Sequence, residues 1–441
     1  MTVDWLAGLD VDYRTDPAFL ATRRLDRSGW EPEGSPSAVV LPTSVEQVQR
    51  VLQGASASRT PVVPRGAGTA LTGATTAGSG TIVLDLSGMN RIVDIRPADG
   101  VAVVEPGVIT ADLDRAAAGH GLRYAPDPAS LELSTIGGNI ATNAGGLRCA
   151  KYGMTRDSVL GLDVVLADGT LISTGRATLK GVAGYDLTGL FVGSEGTLGV
   201  VVGATLRLRP LPPPSATIAA AYPDFATAVA ASVALAEARV QPVLAELLDR
   251  ATLRALAAHG HPIDGDALLI VQLDDGTAST DRALAALTPG STSIRSTTDP
   301  TALLETRRQA LPAIEKLGRP LIEDIAVPRS RMADAVRAIE DIAARHDVPI
   351  CTLAHAGDGN IHPIIVAGRH DAPVPEAAQR AADEIFGLAL DLGGTVTAEH
   401  GIGVLKQAWL GKELGGPQHA LQRQIKALFD PGDILNPGKA L

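Results

Sequence analysis

Cysteines, aromatic side chains, basic clusters and long apolar runs are all scarce in this chain, and each scarcity removes a class of protein. Aromatics are 3% of 441 residues while 45% are hydrophobic, so any core must be built from Ala, Val, Leu and Ile. The two cysteines, Cys149 and Cys351, are too few for a disulfide scaffold and fit a reducing compartment. Cys351 lies in the apolar run VPICTLA and reads as core. A net charge of -11 without any Lys/Arg cluster argues against a nucleic-acid partner, whose phosphates need clustered cations. No run of about 20 apolar residues could cross a bilayer. The start, MTVDWLAGLDVDYRTD, lacks the basic and apolar regions of a secretory signal. The expectation is a cytoplasmic protein, with peripheral membrane contact left open.

At this length two or three lobes are expected. Residues 42–58 join a Thr43-to-Glu46 capping box to Val48, Val51 and Leu52 at helical spacing, which predicts an amphipathic helix. Strands are expected at TPVVP, 81–88, 101–105 and 160–166, the last turning at Asp168-Gly169 into TLIST. The proline run 210–214 suits neither a helix interior nor a central strand and is read as a junction. Beyond it, strands at 216–221, 243–248, 267–273 and 320–327 alternate with helices near 224–238, 300–317, 329–346 and 375–392. The regular alternation of a parallel doubly wound sheet is missing, so the expected class is α+β.

Three glycine-rich segments stand out. PRGAGTALTG at 64–73 spaces Gly66, Gly68 and Gly73 unlike a dinucleotide fingerprint, and it leads into a strand-like run rather than a helix. Its backbone N–H groups could cradle a pyrophosphate beside Arg65, or the segment could be a tight turn. STIGGNIATNAGGLRCAKYG at 134–153 mixes glycines with Ser134, Thr135, Asn139, Thr142 and Asn143, a polar density suited to a flat cofactor approached closely. GYDLTGLFVGSEGTLGVV at 184–201 repeats the theme around Glu195.

In HAGDGNIHP, a two-residue Asp358-Gly359 turn would pair His355 with His362 on one face of a hairpin. Two such imidazoles can hold a metal ion, or can be two histidines satisfied by hydrogen bonds.

Together these segments resemble the FAD-binding lobe of the vanillyl-alcohol-oxidase-type flavoproteins. HAGDGNIHP, TAEHGIG and ILNPGKAL extend the resemblance to the branch of D-lactate dehydrogenases, glycolate oxidase flavin subunits and D-2-hydroxyglutarate dehydrogenases. It implies a 36–212 FAD-binding domain of two α+β subdomains after a 1–35 segment, and a 213–441 substrate cap, an antiparallel sheet covered by helices, whose 395–441 stretch returns to the flavin. It implies that Arg65, Gly66, Ala67, Gly68 and Thr69 wrap the pyrophosphate, closed by Leu71, Thr72 and Gly73. Pro128, Ser134, Thr135, Gly138, Asn139, Thr142, Asn143 and Gly146 would run along the flavin. Glu195, Gly196, Gly199 and Val200 would sit near the adenosine, with Asn436 from ILNPGKAL also contacting the cofactor. No His occurs in the first loop, where Thr69 replaces the nearest candidate, so FAD would be noncovalent.

The resemblance further implies Glu399 as a third ligand beside His355 and His362, His400 as general base, and Arg307 as a clamp on the substrate carboxylate. A solvated helix face shared with Arg308 is the other reading of Arg307. Imidazole and carboxylate ligands suit a divalent ion, Zn first, with Mn or Fe as alternatives. Leu321-Ile322 stands where dicarboxylate-oxidising relatives carry a Lys, which favours a monocarboxylic acid, D-lactate or glycolate over D-2-hydroxyglutarate. An electron acceptor is required: a quinone, a cytochrome or an electron-transfer flavoprotein. Open alternatives are a flavin-containing non-redox transferase of the alkyl-glycerone-phosphate synthase type, a non-autonomous subunit of a glycolate oxidase complex, and a homodimer.

Overall fold

A computed structural model describes residues 3–213, 216–369 and 372–441. Pro214, last of the proline run, lies outside them. The chain forms two units: one runs to Gly146 and adds Gly153–Leu211 and Glu399–Leu441, the other comprises Leu147–Tyr152 and Pro212–Ala398.

The first unit holds two sheets. In the first, the strands Ala38–Leu41, Ile82–Asp85 and Val62–Arg65 run parallel, with Asp12–Arg14 antiparallel at the edge. The helix Val45–Ser58 buries Val48, Val51, Leu52 and Ala55 in the same core as these strands. Its N-cap is Ser44 rather than Thr43. Ser44 takes the extended backbone an N-cap needs (φ -145°, ψ 161°), and its hydroxyl accepts from Gln47 N at 3.3 Å. Gln47 Oε1 accepts from Thr43 N at 2.7 Å, the residue before the cap, so the expected Thr43-to-Glu46 capping box is replaced by a Ser44 cap with Gln47 reaching back one residue further.

The second sheet is antiparallel, in the order Ile92–Arg96, Val101–Val104, Val200–Arg207, Val159–Val165, Leu171–Gly175. Gly169 supplies the positive φ (+83°) that turns the chain from Val159–Val165 into Leu171–Gly175. A helical stretch that the sequence pattern did not suggest, Gln407–Phe429, breaks at Gly415, whose φ of 72° is not helical and which precedes Pro417. Beyond it Leu435 bridges Val62.

The second unit is one antiparallel sheet, ordered Ser293–Thr297, Ala216–Tyr222, Ala267–Leu273, Leu244–Leu248, Ile350–His355, Asn360–Val366, Pro320–Ile322. Ile325–Ala326 also pairs with Asn360–Val366, so the single strand expected over 320–327 is interrupted at Glu323-Asp324. The expected helix 300–317 is two, Thr301–Arg308 and Ala310–Glu315. Pro312 has no N–H for the Arg308 carbonyl, and the chain tightens between them at Gln309. These two helices and Arg250–Ala258 cover one face of the sheet, packing Leu253, Leu256, Leu303 and Ile314 against Leu248, Ile270, Leu353 and Ile364. Burying one such side chain contributes about 1.5–3 kcal/mol. Among the described residues no helix is long and apolar enough to cross a membrane.

Candidate active site

Alternate residues of a strand share a face. On that rule Glu246, His355, Asn360 and His362 stand on the face carrying Leu248, Leu353 and Ile364, where the apolar layer gives way to polar side chains. The hairpin does not turn at Asp358-Gly359 alone. His355 pairs with Asn360 and Leu353 with His362, leaving four residues in the loop. Asp358 makes this possible, its carboxylate accepting from Asn360 N at 3.2 Å while the N–H of Gly359, at φ +90°, donates to the His355 carbonyl at 3.0 Å. The register therefore differs by two residues from the expected one. Because the side-chain period is also two, both imidazoles stay on one face as diagonal neighbours.

Their Nε2 atoms lie 3.3 Å apart. Two nitrogens bound at about 2.0–2.1 Å to one tetrahedral ion would be separated by roughly 3.3–3.4 Å, so this donor pair fits a divalent metal. A carboxylate stands behind each ring, at hydrogen-bond distance for His355 alone. Glu246 Oε1 lies 2.5 Å from His355 Nδ1, and Asp324 Oδ1 lies 3.8 Å from His362 Nδ1, an ion-pair separation rather than a hydrogen bond. Asp324 is fully buried, and its Oδ2 accepts from Thr397 Oγ1 at 2.9 Å and Ala398 N at 2.8 Å. Asn360, also buried, leaves its Oδ1 without a partner among the described residues.

Arg307 is not on a solvated face: its side chain is 16% exposed, against 67% for Arg308. Its Nε donates to Glu246 Oε2 at 2.8 Å. Burial alone would raise the Glu246 pKa, but His355 and Arg307 outweigh it and hold the carboxyl below its usual range. Among the described residues only Nε of the guanidinium is engaged, so its two terminal nitrogens remain for a ligand carboxylate.

In the first unit, strand Val62–Arg65 delivers Arg65 into the loop 66–73. Arg65 is buried, and its Nε has no partner among the described residues. Burial pushes its pKa down, against the opposing pull of Asp85 and Asp26. No backbone N–H of residues 66–73 donates to another described residue. A buried guanidinium that touches Thr75 through one terminal nitrogen, beside a run of amides with no partner among the described residues, fits a pyrophosphate. Gly66 touches the second segment so closely that a Cβ there would lie 2.2 Å from Thr135 Oγ1.

That second segment is the helix Ile136–Thr142, capped by Thr135 and ended by Asn143 in the left-handed region. Several of its polar groups are committed to the protein. Ser134 and Asn139 bind Thr110, Thr142 Oγ1 donates to the Gly138 carbonyl, and Asn143 Oδ1 accepts from Arg156 N. Pro128 is buried, and a Cβ on Gly146 would strike the adjacent Asp127 backbone. Gly145 leaves room for Glu399, whose Oε2 would lie 2.2 Å from a Cβ.

The third segment is structural in its contacts. Gly196 abuts Pro64, Gly199 abuts Val164, and Val200 is buried in the core. Glu195, at φ 51°, accepts from Ile402 N at 2.7 Å and Gly403 N at 2.9 Å, so it holds the turn after His400. Thr72 Oγ1 donates to the His400 carbonyl at 3.4 Å. Asn436 Nδ2 donates to the carbonyls of Ala74 and Glu195.

Two family profiles match the chain: the FAD binding domain over residues 36–175, and the C-terminal domain of FAD linked oxidases over 211–440. The chain belongs to the FAD-linked oxidase family. Glycolate oxidase subunit GlcD of Bacillus subtilis (strain 168) is 43% identical over 420 residues, 92% of this chain and 89% of that one. D-lactate dehydrogenase of Archaeoglobus fulgidus is 35% identical over 414 residues, 91% of each. Among solved structures, p-cresol methylhydroxylase with substrate bound superposes with a TM-score of 0.77 at 20% identity, covering 97% of this chain and 93% of that one. This FAD-linked oxidase thus has the α+β, vanillyl-alcohol-oxidase-type fold.

Glu246 and Asp324 were missed from the sequence. For Glu246, a lone carboxylate inside the apolar run LAELL was the available signal, since a charge there must be paired to be tolerated.

Proposed function

We propose that this FAD-linked oxidase oxidises a small monocarboxylic 2-hydroxy acid, D-lactate or glycolate, to the 2-oxo acid. The observation that carries the reading is the buried imidazole pair with Nε2 atoms 3.3 Å apart beside an anchored arginine, in a chain similar to a glycolate oxidase subunit and a D-lactate dehydrogenase. His355 and His362 hold a divalent metal through Nε2, and Glu399 is the third ligand. Bound there, Zn, or Mn or Fe in its place, supplies Lewis acidity toward the substrate hydroxyl, and FAD supplies the acceptor for the Cα hydride. Arg65 and the amides of residues 66–73 bind the FAD pyrophosphate. Arg307 pairs its terminal nitrogens with the substrate carboxylate. His400 takes the hydroxyl proton, with Glu195 fixing the turn just after it. A quinone, a cytochrome or an electron-transfer flavoprotein reoxidises the enzyme.

Anaerobic mixing of the FAD-loaded protein with D-lactate, L-lactate, glycolate and D-2-hydroxyglutarate tests this. Bleaching of the visible flavin band by D-lactate or glycolate is expected, and no bleaching by any of the four would sink the reading.

A further inference from the structure

We propose that Glu246 is a positioning residue that, locked by Arg307, fixes the ring proton of His355 on Nδ1 and so keeps Nε2 open for the metal. The inference rests on the metal reading above. Glu246 is directly opposite His355 on adjacent strands, and the side chain is fully buried. An ionised carboxylate can only accept, so both of its contacts must be donations to it: Nδ1–H of His355 to Oε1, and Nε–H of Arg307 to Oε2. With the Nδ1 proton held there, a neutral imidazole must carry its lone pair on Nε2, the atom that faces His362.

The guanidinium anchors the arrangement. Arg307 cannot lose its proton, and its Nε–H holds Glu246 Oε2 at 2.8 Å while Oε1 faces the His355 ring. Carboxylates behind ligating histidines generally raise ligand basicity, and their loss costs about 10–100-fold in metal affinity. A Gln at 246 keeps volume and burial but offers a single acceptor oxygen. Either His355 or Arg307 then meets an amide NH2 instead of an acceptor.

The test uses the FAD-loaded full chain stripped of metal by chelator. Zn2+ affinity is measured by competition with a chromophoric chelator in the wild type and in Glu246→Gln. The expected result is a dissociation constant about 10–100-fold larger in the variant with FAD content unchanged. Equal affinities would overturn the proposal while leaving the metal reading intact; a wild type that binds neither Zn2+ nor Mn2+ nor Fe2+ overturns both. Should Glu246→Gln not fold, 15N NMR of the wild-type histidine rings decides, with His355→Gln giving the assignment. Protonation at Nδ1 of His355 supports the proposal, and an Nε2–H tautomer overturns it.

Discussion

Glu195 accepts the backbone N–H of Ile402 at 2.7 Å, two residues beyond His400, and the N–H of Gly403 as well. Gly401 has a φ of +83°, which favours glycine, and a Cβ there would lie 2.9 Å from the same carboxylate. Glu195→Gln replaces one acceptor oxygen by an NH2 group facing a backbone donor. Leaving a buried donor unpaired costs about 1–3 kcal/mol. The variant is expected to melt at a lower temperature and to lose kcat on D-lactate more than it changes KM, because the turn carrying His400 is loosened. Thermal denaturation together with steady-state kinetics checks this; an unchanged melting temperature would refute the role given to Glu195.

Arg65 is a buried cation whose Nε has no partner among the described residues, at the head of a loop whose amides are equally uncommitted. Arg65→Met keeps the apolar stem and removes the charge. A hydrogen bond to a charged group contributes about 1.5–3 kcal/mol, which corresponds to roughly 10–150-fold in FAD affinity. Flavin retained after exhaustive dialysis, measured by absorbance, should fall sharply in the variant. Full retention would mean that the pyrophosphate lies elsewhere.

The fold class and most elements were legible because hydrophobic periodicity survives whatever the tertiary context. What escaped depends on partners distant in sequence. The helix start slid from Thr43 to Ser44 because two adjacent hydroxyl residues compete for the cap, and only the backbone angle of Ser44 decides. The two histidines were correctly placed on one face although the turn was misjudged, since a slip of two residues preserves the face. Glu246 was illegible: its partner His355 is 109 residues away, and nothing in LAELLD says which neighbour will neutralise the charge. The glycine segments signalled close approach, yet the neighbour that each glycine admits belongs to the protein itself, as for Gly66 against Thr135 and Gly199 against Val164.

His355→Ala removes one member of the Nε2 pair while leaving the loop 66–73 untouched. The expected protein keeps FAD, binds no stoichiometric zinc and shows no flavin reduction by D-lactate or glycolate. Removing the metal from the wild type with a chelator should reproduce the loss of reduction, and added Zn2+ should restore it in the wild type alone. Elemental analysis and anaerobic absorbance spectra are the measurements. Loss of FAD along with the metal would assign His355 to folding instead.

Asp249 caps the helix Arg250–Ala258, its carboxylate accepting from Thr252 N at 2.8 Å, and burial raises its pKa from 3.8 to about 6. The folded pKa thus lies above the unfolded one, so between these values the folded chain binds more protons than the unfolded chain. Stability from this group is fully present below the unfolded pKa and is lost as pH rises through about 6. A difference of about two pKa units corresponds to about 3 kcal/mol. Asp249→Asn keeps the capping oxygen and removes the titration. Unfolding free energies of wild type minus variant should therefore fall by up to about 3 kcal/mol between pH 4 and pH 7, most of it below about pH 6.5. A difference that stays flat across that range would show that the carboxylate is ionised in the folded protein throughout, and that its contacts with Thr252 and the backbone outweigh the burial.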